Sequence, residues 1–180
     1  MKKSLLIVGV AVLLITIGFS GCIDNNNSTL RNLGYSNTAY GFGLNPPDGW
    51  RVDESQGGSV VGFFGPEVDG FTINILIGVA EYQTGETVKN VAEYVMEGAI
   101  TSKTNFSLVS SGPRTVNGMN AYEFVATYIS DYVQDVVAKV KEVFIEKNRK
   151  GLMICLTVPE NSYDEYETVF EESLSSVVIV

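Results

Sequence analysis

The chain predicts an antiparallel β-sheet flanked by helices, class α+β. Strand-like runs fall into blocks separated by helix-like segments, hairpin signals join strands within a block, and each helical segment carries a single apolar stripe.

Residues 1–21 read as an export segment. Lys2 and Lys3 precede an apolar run from Leu5 to Ile17, which is short for a membrane span, and Gly18-Phe19-Ser20-Gly21 then leads to Cys22. This arrangement resembles the lipobox of prokaryotic lipoproteins. Ser20 and Gly21 match the small positions before the cut, and Cys22 matches the residue whose thiol carries the lipid. Phe19 stands where an aliphatic residue is usual. Retention of the segment as an uncleaved anchor, or plain cleavage to a secreted protein, are the other readings. All three put the folded part outside the cytoplasm, and the lipoprotein reading puts it on the external face of the cell membrane. Residues 22–39, opening Ile23-Asp24-Asn25-Asn26-Asn27, are polar and aperiodic and read as a flexible tether.

Residues 40–180 read as one domain. Phe42 and Leu44 alternate with Gly43 and Asn45 in a short strand, Pro46-Pro47-Asp48-Gly49 fixes a turn, and Trp50-Arg51-Val52 opens the next strand. Ser59 to Phe64 and Thr72 to Val79 follow, the latter placing Ile73, Ile75, Ile77 and Val79 on one face. From Thr87 to Lys103 the apolar residues Val88, Val91, Ala92, Val95, Met96, Ala99 and Ile100 keep the spacing of a buried helix face. Ser107 to Val116 and Met119 to Ser130 flank Asn117-Gly118, a strong hairpin signal, and Tyr122, Phe124, Ala126 and Tyr128 share one face. Val136 to Lys147 mixes apolar and charged residues. Its β-branched content and the turn-like Asn148-Arg149-Lys150-Gly151 favour a strand paired with Leu152 to Val158. Ser162 and Glu165 form a capping-box pattern ahead of the helix stripe Tyr166, Phe170, Leu174 and Val177.

This order of elements, with Tyr40-Gly41-Phe42-Gly43-Leu44-Asn45-Pro46-Pro47-Asp48-Gly49-Trp50 at its head, resembles the PsbP-like family over roughly Tyr40 to the C-terminus. The resemblance implies a sheet sandwiched between helices and a non-catalytic role. Plant members are extrinsic proteins of the oxygen-evolving photosystem, and a distant eukaryotic relative binds a small GTPase in nuclear transport. No photosynthetic role follows, since the chain lacks the histidines associated with metal in some photosystem members.

Composition narrows the chemistry. Histidine is absent, which removes the commonest general base and transition-metal ligand. Loss of Lys2 and Lys3 with the export segment takes the net charge from −9 to −11, a surface that repels nucleic acid. With Cys22 assigned to lipid, Cys155 stands alone in the apolar run Leu152 to Leu156 and reads as a small core residue. Gly58-Ser59-Val60-Val61-Gly62 lacks the spacing of a nucleophile elbow, and no Gly-Lys-Ser/Thr phosphate cradle occurs. Asp131 with Asp135, and Glu160 with Asp164, are the carboxylate neighbours near strand ends. Asn26, Asn27 and Asn105 head Asn-x-Ser/Thr glycosylation patterns. Tyr132, beside Asp131, is the candidate interaction surface. The expectation is a membrane-anchored binding or assembly module with no catalytic residue, metal or cofactor, meeting an unidentified protein or surface partner. The alternatives are a small-ligand or cation-binding lipoprotein, and a histidine-free envelope glycan hydrolase using a carboxylate pair.

Overall fold

The computed structural model describes residues 30–55 and 58–180. The expectations for residues 1–21, Cys22, Asn26 and Asn27 lie outside them. In chain order the elements are β1 (Tyr35–Asn37), β2 (Phe42–Leu44), β3 (Arg51–Asp53), β4 (Val61–Val68), β5 (Phe71–Glu81), α1 (Val88–Ser102), β6 (Ser107–Val116), β7 (Met119–Ile129), β8 (Val137–Lys147), β9 (Lys150–Pro159), α2 (Tyr163–Ser175) and β10 (Val178–Ile179), with a 3₁₀ turn at Glu160–Ser162 before α2. Seven strands form one antiparallel sheet in the order β3-β4-β5-β9-β8-β7-β6, and β1-β2-β10 form a second, smaller sheet.

The hairpins follow from their turn residues. Asn117 (φ 48°) and Gly118 (φ 74°) both adopt left-handed backbone, as the tight β6–β7 connection requires, and Asn148 (φ 54°) and Arg149 (φ 66°) do the same between β8 and β9. Arg149 tolerates that conformation within a bonded corner: its Nε donates to the Tyr82 carbonyl at 3.1 Å, and its own carbonyl accepts from the Tyr82 amide at 2.9 Å.

Strand alternation gives the large sheet two apolar faces. One carries Phe63, Ile73, Ile75, Ile77, Val143, Ile145, Ile154 and Leu156, all buried, and meets Phe170, Leu174 and Val177 of the α2 segment together with the small sheet. Tyr35 and Phe63, with ring centroids 5.5 Å apart and edge to face, join the two sheets. The opposite face offers Tyr122, Phe124, Ala126, Val140 and Phe144 to α1. The outcome is α1 on one side of the sheet and α2 on the other, the α+β architecture that the sequence predicts.

Three details differ from the sequence reading. Order is present before Tyr40: β1 pairs with β2 through Tyr35 and Leu44, and Leu30 is buried, so residues 22–39 are not a tether throughout. The capping box at Ser162 does not form. The 3₁₀ turn brings the chain into α2 already in helical geometry (Ser162 φ −104°, ψ −1°), so its hydroxyl bonds Asn161 instead of capping the helix. Thr87, in extended backbone, does cap α1, accepting from the Asn90 amide at 3.2 Å. Third, Ile100 is exposed, so the buried stripe of α1 is narrower than its spacing suggests.

Ion pairs anchor α2 to the sheet. Lys141, on β8, has a side chain only 7% exposed, with its ammonium 2.8 Å from Glu167 and 2.6 Å from Glu171. Arg114 of β6 holds Glu171 through two nitrogens, at 3.0 and 2.8 Å, and reaches Glu123 of β7 at 2.5 Å. Burial works against the Lys141 ammonium, yet Glu167 and Glu171 hold its pKa above the ordinary value. The Arg114 guanidinium, against the opposing effect of burial, brings the Glu171 carboxyl from 4.5 down to about 2.

Two predictions follow from this packing. The Glu171 contribution is complete above pH 4.5 and disappears as pH falls through about 2. Glu171→Gln should therefore lower stability at neutral pH by about 1–3 kcal/mol, discounted for partial exposure, with the deficit fading in acid. Denaturant titrations of both proteins across that range test it, and a deficit independent of pH would refute the assignment. The other prediction concerns Trp50, the single tryptophan, which is half-buried with its indole lying across Gly65, where a Cβ would come within 2.6 Å. Gly65→Ala should displace the ring, red-shift its fluorescence and cost about 1 kcal/mol or more. Emission unchanged from wild type would show that the ring does not rest there.

Candidate interaction site

The seven residues between β7 and β8 form a loop built on Ser130. Its buried hydroxyl accepts from the amides of Tyr132 (3.2 Å) and Val133 (3.1 Å), and its own amide donates to the Val136 carbonyl at 2.8 Å. Asp135 turns the chain with φ 62°. Tyr132 is thus 89% exposed on a backbone that is tied down. Asp131 beside it pairs with Lys103, just past the end of α1, and the Lys103 ammonium lies 5.0 Å from the Tyr128 ring centroid. The Ile129 amide also donates to the Thr104 carbonyl at 2.9 Å, binding the α1–β6 connection to the end of β7.

The register brings other exposed apolar residues to this end of the sheet. Val137 opens β8 opposite Ile129, Leu108 and Val109 lie near the start of β6, and Ile100 is in the last turn of α1; all four are exposed. Asn105 occupies the exposed turn before β6 with φ 55°. The structure therefore joins the sequence candidates Asp131, Tyr132 and Asn105 at one end of the molecule. Lys103 is the member that sequence reasoning missed, because its pairing with Asp131 spans two elements.

Further along β8, at its midpoint, lies a carboxyl that also escaped the sequence reading. Glu142 of β8 stands opposite Cys155 of β9 on the α1 side of the sheet. Its Oε2 is buried and is the buried side-chain polar atom left without a hydrogen-bond partner among the described residues. Burial pushes this carboxyl up to about 7 against the opposing influences of Cys155 and Lys103. Burial also pushes the Cys155 thiol well up, with Glu142 adding to the effect, so the thiol stays protonated and unreactive. Its Sγ lies 3.6 Å from the Thr157 hydroxyl.

The carboxylate neighbours chosen from sequence separate in the fold. Asp131 is occupied by Lys103, and Asp164 is exposed in the first turn of α2. Asp135 and Glu160 instead line a shallow cleft of about 250 Å³ with Asp69 and Asn161. A larger cleft, about 530 Å³, runs between the two hairpin tips and β10. There Asn117 donates to the Val177 carbonyl at 2.9 Å and Lys147 to the Ile179 carbonyl at 2.6 Å, so side chains already occupy backbone acceptors beside it. Among the described residues no group of three or more Cys, Asp and Glu is placed to hold a metal ion, and no helix is long and apolar enough to cross a membrane.

No family model and no curated protein matches the chain by sequence. Solved structures do match by shape. The cyanobacterial PsbP (CyanoP) from Synechocystis sp. PCC 6803 aligns with TM-score 0.60 at 18% identity, over 81% of this chain and 91% of its own. LpqN of Mycobacterium tuberculosis, described as involved in cell envelope biogenesis, aligns with TM-score 0.62 at 12% identity, over 77% and 83%. The Saccharomyces cerevisiae Ran-binding protein Mog1p aligns with TM-score 0.53 at 12% identity, over 78% and 90%. At these identities the likeness is one of fold: the chain shares the α+β architecture of the PsbP-like and Mog1-like structures.

Proposed function

We propose that this chain is a binding or assembly module without catalysis of its own, anchored on the external face of the cell membrane through Cys22, which contacts a protein partner through the Tyr132 end of its sheet. The carrying observation is Tyr132 itself, a fully presented aromatic on a loop fixed by Ser130, beside exposed Val137. A rigid aromatic loses little entropy on binding and serves as an anchor. The roles printed for similar structures, Ran binding by Mog1p and cell envelope biogenesis for LpqN, support a binding reading of the fold.

A photo-reactive phenylalanine placed at Tyr132 should form a partner adduct in native membranes, whereas the same group at Tyr94, an exposed aromatic on α1, should not. Tyr132→Ala should weaken partner binding about tenfold or more. Equal adducts from both positions would sink the assignment of this surface. Cys22→Ser should release the chain from membranes or block its processing; a variant that fractionates and migrates like wild type would replace the lipid with an uncleaved anchor.

A further inference from the structure

Glu142 has no structural use that requires its charge. It does not join the Arg114–Glu171–Lys141 cluster, which lies on the other face, and one of its oxygens has no partner. Around it stand Cys155 from β9, Tyr128 from β7, Lys103 beyond the end of α1 and, bonded to Lys103, Asp131. α1 contributes Val95 and Met96 to the apolar cluster on this face. Lys103 is the nearby cation whose charge acts on Glu142 and Cys155, yet it is engaged by Asp131 and lies over Tyr128.

We propose that Glu142 is a proton-operated latch: loss of its proton to solvent draws Lys103 away from Asp131 and loosens the loop that presents Tyr132. With the carboxyl neutral, the site is quiet and Lys103 remains on Asp131. With the carboxylate charged, the buried Oε2, which has no hydrogen-bond partner, must gain a cation or water, and Lys103 is the cation within its field. The carboxyl is already held near neutrality, so the exchange falls in a range where no histidine in this chain can produce it. The inference concerns the fold alone and stands apart from the identity of any partner.

The test is an NMR pH titration of the full chain in detergent micelles, between about pH 5 and 8. The amides of Asp131, Tyr132 and Val133 should shift together with a midpoint near 7, matching the Glu142 carboxyl carbon. In Glu142→Gln that transition should vanish. In Lys103→Met the carboxyl midpoint should move to higher pH while the loop amides lose their response, which keeps the test open if the Gln variant folds poorly. Loop amides flat across the range in wild type, or the same midpoint surviving in Glu142→Gln, would overturn the proposal.

Discussion

A buried ammonium fixes the arrangement of this molecule. Lys141 stands between Leu156 and Val125 on the α2-facing side of the sheet, where an uncompensated buried charge would cost several kcal/mol. The carboxylates that compensate it, Glu167 and Glu171, both come from α2 and lie one turn apart. Satisfying Lys141 therefore sets the rotation of α2 about its axis. That rotation turns Phe170 and Leu174 onto the sheet, and it aims the following residues so that Val178 and Ile179 pair with β2. The small sheet thus depends on an ion pair that none of its own residues makes.

The α1 side is organised differently. α1 packs over β7 and β8, while on the same face Phe64, Leu76 and Met153 are half-buried. There the sheet covers itself. Phe64 lies against Gly62, whose absent Cβ would fall 2.6 Å from the ring, Met153 lies against Gly78, and the Tyr82 ring takes the place of a side chain at Gly151. Glycine in a strand forgoes packing of its own, and here the vacated space admits a larger neighbour lying flat. The α1 side is thus covered by apolar contacts and flat-lying side chains, whereas the α2 side is tied down by ion pairs.

Local patterns made most of the elements legible from sequence. Ile73, Ile75 and Ile77 alternate because one face is core, and Asn117-Gly118 turns because both positions need left-handed backbone. What escaped depended on contacts between distant segments. β1 is three residues, Tyr-Ser-Asn, with no apolar alternation, and β2 alone makes it a strand. β10 is two residues at the end of a helical stripe. The motif at Ser162 had the right residues, but the preceding 3₁₀ turn removed the extended backbone that a cap needs. At the candidate interaction site, Tyr132 and Asp131 could be picked as loop residues. Lys103 and Glu142 could not, because one owes its role to a partner beyond its own helix and the other to burial that a mixed apolar and charged strand does not announce.

The placement of β5 against β9 carries a kinetic consequence. β6 to β9 form a meander whose strands pair with sequence neighbours, whereas Asn74 must find Thr157 and Glu81 must find Lys150 across the whole of α1 and the meander. Closing that span costs chain entropy before any pairing returns it. The topology therefore favours a meander that forms early, with the edge of β9 left open until β5 arrives. During that interval the vulnerable surface is Leu152 to Val158, an apolar strand with one row of unsatisfied amides and carbonyls. The native sheet later hides this row completely in its interior.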